Sequence, residues 1–165
     1  MPTVKPYNRA AAIAYSNQWA MGRNPAYLDF TKIGGDCTNF ISQCLYAGSK
    51  VMNYTKDYGW YYISANNRAP AWTSVRYFHR FLTTNKTKAV FASEVPIEKM
   101  IPGDVIQLAD QTGTYYHTLL VVQTGEVPSP DNILINAHDY DALRRPLNTY
   151  NYGYYRCLHI NGVYV

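Results

Sequence analysis

The stretch "GGDCTNFISQCLYAG", residues 34–48, decides the fold, because turn-forming glycines give way within it to a helical pattern. Apolar side chains recur three and four positions apart, which is the spacing of one helix face; these positions are Cys37, Phe40, Ile41, Cys44 and Leu45. Asp36 precedes the pattern, and Gly48 is a typical helix stop. The stretch therefore predicts an amphipathic helix that begins at Cys37, directly after a Gly-Gly turn.

Two further helices are predicted on either side of this stretch. Residues 7–22 carry apolar side chains four positions apart and end at a glycine. Residues 49–71 mix aromatic residues with turn formers, which predicts an irregular segment. Residues 73–82 return to helical spacing, with Thr73 or Ser74 as the N-terminal cap.

The period changes to two in the second half of the chain, which is typical of β-strands. Five short strands are predicted between turn-forming segments: 88–93, 104–109, 115–124, 132–138 and 154–160. Helices followed by strands predict an α+β fold, with the helices packed on one side of a small antiparallel sheet or partial barrel. We expect one domain over residues 1–165, with its core at about 7–160.

Composition excludes several classes of function. The 165 residues are 47% hydrophobic and carry a net charge of +4, and Arg144–Arg145 is the longest basic cluster. We therefore expect no nucleic-acid partner, and no apolar run of about 18 residues predicts a membrane span. The start "MPTVKPYNRA" lacks the apolar core of a signal peptide. Three cysteines without framework spacing argue against a disulfide scaffold.

Cys37 is a candidate nucleophile because of its place at the start of a helix. Unpaired backbone N–H groups and the helix dipole there are expected to lower the pKa of its thiol and to favour the reactive thiolate. Gly34 and Gly35 would let a substrate carbonyl approach the backbone closely. The alternative is that Cys37 only begins the buried face. Cys44 and Cys157 are predicted to be core residues.

His117 is the candidate base for this thiol. It lies in an otherwise apolar strand, on the face shared with Leu119 and Val121, and so needs a polar partner. His79 and His159 are predicted to be structural. A helix-borne cysteine followed by a strand-borne histidine is also the order of papain-like folds.

A third polar group is expected to hold the imidazole in its working tautomer. The strand after His117 offers Asn136 and His138 on one face. Asp139 and Asp141 follow just beyond that strand and are alternatives.

Several longer stretches together resemble the "Putative amidase domain" family of Gram-positive bacteria, which is similar to the papain-like NlpC and CHAP cell-wall hydrolases. They are "GGDCTNFISQ", "GW", "SANNRAPAWTSVRYFHRFL", "PGDVIQL", "HTLLVV" and "INAHDYDALRRPL". The resemblance implies a papain-like fold, Cys37 as nucleophile and His117 as general base. It favours His138 as the third catalytic residue, with Asn136 and Asp139 as alternatives. It also implies an oxyanion hole that includes the backbone N–H of Cys37.

The resemblance further implies a cysteine amidase or peptidase without a cofactor, acting on peptide or cell-wall amides as a monomer. An extracellular or cell-wall location follows from the same likeness, and the mild positive charge suits an anionic polymer. Trp60 and Trp72 are candidate walls of the substrate groove, or else parts of a packed cap. Transfer of the acyl group to an amine instead of water is not separable from hydrolysis at this level.

Two different classes of function compete with the enzyme. The first is a catalytically inactive ligand-binding module of the same fold at the cell surface. The second is a metal site formed by Cys37, Cys44, His117 and His138, although the spacing of its two cysteines is unusual for metal ligands.

Overall fold

Four helices and nine strands form the protein in the computed structural model, which describes residues 1–165. The helices are α1 (Arg9–Trp19), α2 (Cys37–Ser49), α3 (Pro70–Thr73) and α4 (Val75–Thr84). The strands are β1 (Val4–Lys5), β2 (Tyr62–Ser64), β3 (Asn67–Arg68), β4 (Ala89–Val95), β5 (Val105–Ala109), β6 (Tyr115–Gln123), β7 (Leu134–Ala137), β8 (Ala142–Pro146) and β9 (Tyr154–Tyr164).

The three long helices confirm the helical periodicity read from the sequence, within a few residues at their ends. Asn8 caps α1, because its side chain accepts a hydrogen bond from the backbone of Ala11. Ser74 caps α4 in the same way, through the N–H of Tyr77. The segment 49–71 is more regular than predicted, since it contains the β2–β3 hairpin and the start of α3.

Seven strands form one antiparallel sheet in the order β1-β9-β5-β6-β7-β8, with β4 also paired to β9. The strand β9 is long enough to pair with β4 along one edge and with β5 and then β1 along the other. The mixed α+β class and the antiparallel sheet are confirmed. The strands β1 and β8 were not predicted, because β1 has two residues and β8 is mostly exposed and lacks an alternating pattern.

Both faces of this sheet are buried. One core lies between the helices and the sheet and includes Phe40, Leu45 and Leu120. A second core covers the opposite face and includes Ile106, Leu119 and Leu147. Each fully buried side chain of this kind contributes about 1.5–3 kcal/mol relative to exposure. The helix α2 therefore starts beside β6 on a tightly packed base.

No helix in the structure combines the length and the apolar character that crossing a bilayer requires.

Candidate active site

Cys37 is the first residue of α2, and the start of this helix is held in place by hydrogen bonds. The hydroxyl of Thr38 lies 2.9 Å from that of Thr118, which joins the helix to β6. The side chain of Asp36 accepts hydrogen bonds from the N–H of Phe30 and from the amide of Asn39. Cys37 is only 5% exposed. The thiol is thus presented from a rigid helix end rather than from a mobile loop.

His117 lies on β6 and faces this thiol. One of its ring nitrogens is within 4.8 Å of the Cys37 sulfur. The ring packs at a tilt against Tyr150, 5.6 Å between centroids, and it makes no hydrogen bond with the protein. A buried imidazole without partners retains both nitrogens for a ligand or for proton transfer.

Asp139 completes the cluster, since one of its carboxylate oxygens is within 4.8 Å of both the Cys37 sulfur and a His117 nitrogen. The carboxylate also accepts hydrogen bonds from the backbone N–H groups of Asp36, at 2.8 Å, and Cys37, at 3.3 Å. The Asp139 carboxylate therefore accepts from the Cys37 N–H, which is the donor expected to bind the oxyanion of the reaction.

Backbone geometry brings this carboxylate to the helix end. Asp139 and Tyr140 both have left-handed φ values, 61° and 58°, which non-glycine residues seldom adopt. A Cβ at Gly35 would lie 2.7 Å from the Asp139 carboxylate. Gly35 of the "GGDC" turn therefore makes room for the Asp139 carboxylate. The sequence had suggested that this glycine makes room for a substrate.

The pairing of β6 with β7 brings the end of β7 near His117. Leu120 pairs with Asn136 and Val121 with Ile135. The strand β7 then ends at Ala137, and the turn that follows it carries the Asp139 carboxylate to the Cys37 thiol and the His117 ring.

His138 lies outside the Cys37–His117 cluster. Its Nδ1 is 2.5 Å from a carboxylate oxygen of Asp36, and its Nε2 is 2.8 Å from the carbonyl of Trp19. Its ring stacks on Phe40 at 3.8 Å between centroids. His138 therefore holds Asp36 in place from the side away from the cleft. Asn136 is also elsewhere, because its amide bonds to Ser16 and Asn17 of α1.

The two tryptophans singled out from the sequence lie in the core. Trp60 and Trp72 have no exposed surface, and their indole N–H groups donate to Ser42 and Asn39. The structure therefore places them beneath α2 instead of along the groove. Two aromatic residues absent from the sequence-based site, Tyr116 and Tyr150, line the cleft.

The remaining cysteines and histidines lie in structural positions. Cys44 and Cys157 are buried, which confirms their assignment to the core. His159 lies 2.9 Å from the buried carboxylate of Asp104, and His79 lies 3.8 Å from the exposed carboxylate of Glu94.

The electrostatics of the site favour a neutral pair in this form of the protein. Burial and, secondarily, the charge of Asp139 raise the pKa of the Cys37 thiol to about 11. This is the opposite of the lowering expected from the helix end, because desolvation of the thiolate is the larger effect. Burial lowers the pKa of His117 to about 4, although Asp139 acts to raise it. At neutral pH the thiol keeps its proton and the imidazole is free to accept it.

The thiol and the imidazole lie where two cavities meet. On the His117 side, a cavity of about 850 Å³ is lined by Thr31, Tyr140, Arg145 and Tyr150 among others. On the Cys37 side, a cavity of about 380 Å³ is lined by Phe30, Ile33, Arg68 and Val75 among others. Gly35, Tyr116 and Asp139 line both. An extended chain could therefore cross the site with one half in each cavity.

The cluster also contains the donor types of a metal site. Cys37, His117 and Asp139 offer one sulfur, one nitrogen and one oxygen, each within 4.8 Å of the others. The carboxylate, however, already accepts two backbone N–H groups. The four-residue set considered from the sequence is not assembled, since Cys44 lies in the core and both His138 nitrogens are engaged.

Fold and site together define an α+β protein in which a thiol at a helix N-terminus faces a strand-borne imidazole across a cleft. Residues 6–160 match the family described as "Putative amidase domain", and the chain belongs to that family. Membership points to amide hydrolysis in general terms.

One curated relative is "Uncharacterized protein YhbB" of Bacillus subtilis (strain 168), which is 32% identical over 142 residues. The match covers 84% of this chain and 43% of that protein, so the chain spans less than half the length of its relative. No solved structure matches the chain.

Proposed function

We propose that this protein is a cysteine-dependent amide hydrolase in which Cys37 is the nucleophile and His117 the general base. The observation that carries the proposal is that a His117 nitrogen without a hydrogen-bond partner lies within 4.8 Å of the Cys37 sulfur, at the meeting point of two cavities. Membership of the amidase family supports the reaction type.

The reaction begins from a neutral pair. His117 removes the proton of the Cys37 thiol as the sulfur attacks the amide carbon, and a C–S bond forms. The developing oxyanion takes the N–H of Cys37, where it replaces the oxygen of Asp139. The imidazolium then returns its proton to the amine, the C–N bond breaks, and a thioester remains. Water activated by His117 hydrolyses the thioester and restores the thiol.

Asp139 is the third residue in this proposal. Its charge acts to raise the pKa of His117, which stabilises the imidazolium formed during attack. The Asp139 carboxylate also accepts hydrogen bonds from the backbone N–H groups of Asp36 and Cys37, and so it holds the start of α2 until substrate binds. His138, which the family resemblance favoured, holds Asp36 and acts on the site through the loop.

The substrate and the branch of the family are inferred from the order of the two site residues and from the charge of the chain. A helix-borne cysteine followed by a strand-borne histidine supports a place among papain-like hydrolases near NlpC and CHAP. That likeness, with the net positive charge, supports peptide or cell-wall amides as substrates and an extracellular or cell-wall location.

Acylation by p-nitrophenyl acetate tests the nucleophile without knowledge of the natural substrate. Attack by the thiol releases p-nitrophenolate and leaves an acetyl group on sulfur. We expect mass spectrometry of the wild-type protein to find the acetyl group on Cys37, and Cys37→Ala to release no enzyme-dependent p-nitrophenolate. Cys157→Ala is the matched control, because it removes a buried thiol outside the site, and it should react like the wild type.

Two outcomes would overturn the proposal. Acetylation that occurs only after unfolding would make Cys37 a core residue and favour the inactive binding module. Activity that is abolished by a chelator and restored by Zn²⁺ would instead assign Cys37, His117 and Asp139 to a metal site.

A further inference from the structure

The cavity on the His117 side carries a cation that is held rigidly and lacks a counter-ion. The guanidinium of Arg145 stacks on Tyr150, with its central carbon 3.7 Å from the ring centroid. Its Nε donates to the hydroxyl of Thr149 at 2.8 Å, and one Nη donates to the Thr149 carbonyl at 3.1 Å. The other Nη makes no hydrogen bond, and no carboxylate pairs with the group. Arg145 therefore presents free donors in a fixed orientation.

The neighbouring Arg144 provides a contrast within the same strand. Arg144 is exposed, bonds to Gln123, and does not line the cavity. Arg145 is half-buried and lines the cavity together with His117. Its positive charge reaches the imidazole, since it acts to lower the pKa of His117. Because no carboxylate of the protein pairs with this half-buried guanidinium, a bound carboxylate would neutralise it with bidentate hydrogen bonds.

The other charged group at this cavity is Asp139, which must be compatible with an anionic ligand. Its carboxylate lies at the wall shared with the Cys37 cavity, where two backbone N–H groups at the α2 terminus already hold it.

We infer that Arg145 binds a carboxylate on the amine half of the substrate, so that the amide cleaved lies next to a residue with a free carboxylate. The inference rests on the proposed function. His117 must protonate the leaving amine, and the amine half therefore lies on the His117 side of the cleft, where Arg145 is. The substrate class is a peptide whose leaving residue carries a free terminal or side-chain carboxylate.

Binding to a Cys37→Ser variant tests this without turnover. The probes are N-acetyl-alanyl-alanine and its C-terminal carboxamide, which differ in a single charge. We expect NMR titration to show that the acid binds about tenfold more tightly or better, as a charge-assisted contact allows. Arg145→Gln in the same background should bring the two affinities together. Arg144→Gln is the matched control and should keep the preference.

Equal affinities for the two probes, or binding of neither, would overturn the inference, as would loss of the preference in Arg144→Gln. A second measurement compares the rates at which iodoacetate and iodoacetamide alkylate Cys37 in the protein with its native thiol. The ratio of these rates should fall in Arg145→Gln alone. Neither result depends on hydrolysis, so failure of the carboxylate site and failure of the proposed enzyme are distinguishable.

Discussion

Two imidazoles next to carboxylates occupy neighbouring parts of the sheet, and their surroundings differ completely. His138 has both nitrogens engaged, one with Asp36 and one with the Trp19 carbonyl. His117 has neither nitrogen engaged and faces a cavity beside the Cys37 thiol. Closeness to a carboxylate alone therefore does not set the role of a histidine. These two rings differ in whether the protein already hydrogen-bonds their nitrogens and in whether a thiol and a cavity lie beside them.

The largest effect is expected for His117→Ala, which removes the proposed base. The rate of p-nitrophenolate release should fall about 10²–10⁴-fold, because general-base catalysis contributes about this much. Initial rates at neutral pH measure the loss. His79→Ala is the control, since it removes an imidazole outside the cleft. A His117→Ala variant that keeps full activity would exclude His117 as the base.

The same variant changes how stability depends on pH. Folding lowers the pKa of His117 from 6.5 to about 4, so between these values the unfolded chain binds the proton more readily. The wild-type protein should therefore lose up to about 3 kcal/mol of stability as the pH falls from 6.5 towards 4. Urea unfolding at several pH values should show that His117→Ala lacks this part of the loss.

His138→Ala should act on stability instead. The substitution removes one partner of the buried Asp36 carboxylate, and we expect the free energy of unfolding to fall by about 3 kcal/mol. Urea unfolding measures the change, while the folded fraction should retain acylation within about tenfold. A normally stable variant that had lost more than about 10²-fold in rate would make His138 the third catalytic residue.

The smallest effect is expected for Asp139→Asn, which keeps a hydrogen-bond acceptor and removes a charge. The pKa of Cys37 should fall below its value of about 11, because the carboxylate contributes to raising it. Alkylation by iodoacetamide at a fixed pH below that value should then be a few-fold faster, since the thiolate fraction is larger.

The pH dependence of alkylation, followed by mass spectrometry of the Cys37 peptide, shows the direction of this change. Asp141→Asn is the control, because Asp141 pairs with Arg23 away from the thiol. Slower alkylation of Asp139→Asn would show that the carboxylate stabilises the thiolate.

Local periodicity was sufficient to predict the parts of the site that depend on a single element. The apolar spacing from Cys37 predicts where α2 begins, and the strand pattern around His117 predicts its buried face; both agree with the structure. The family could also be recognised from the quoted motifs, and the match over residues 6–160 confirms it.

The sequence did not predict how the strands pair with one another. Which of His138 and Asp139 reaches His117 depends on the pairing of β6 with β7 and on the turn after β7, and local periodicity predicts neither. A shift of one residue moves every side chain to the other face, and register depends on turns and bulges such as the irregularity between Val121 and Gln123.

Burial likewise depends on packing between distant segments. The local sequence does not show whether Trp60 and Trp72 line the groove or lie in the core. Their contacts with α2 place them in the core. The pKa of Cys37 also depends on packing. The local sequence predicts the helix end, but the strands and the turn that cover the thiol cause its desolvation. The sequence by itself thus determined the class of fold and which thiol and which imidazole to propose as nucleophile and base. Tertiary structure decided which carboxylate joins them, which aromatic residues line the cleft and where Arg145 lies, because those outcomes depend on long-range register and burial.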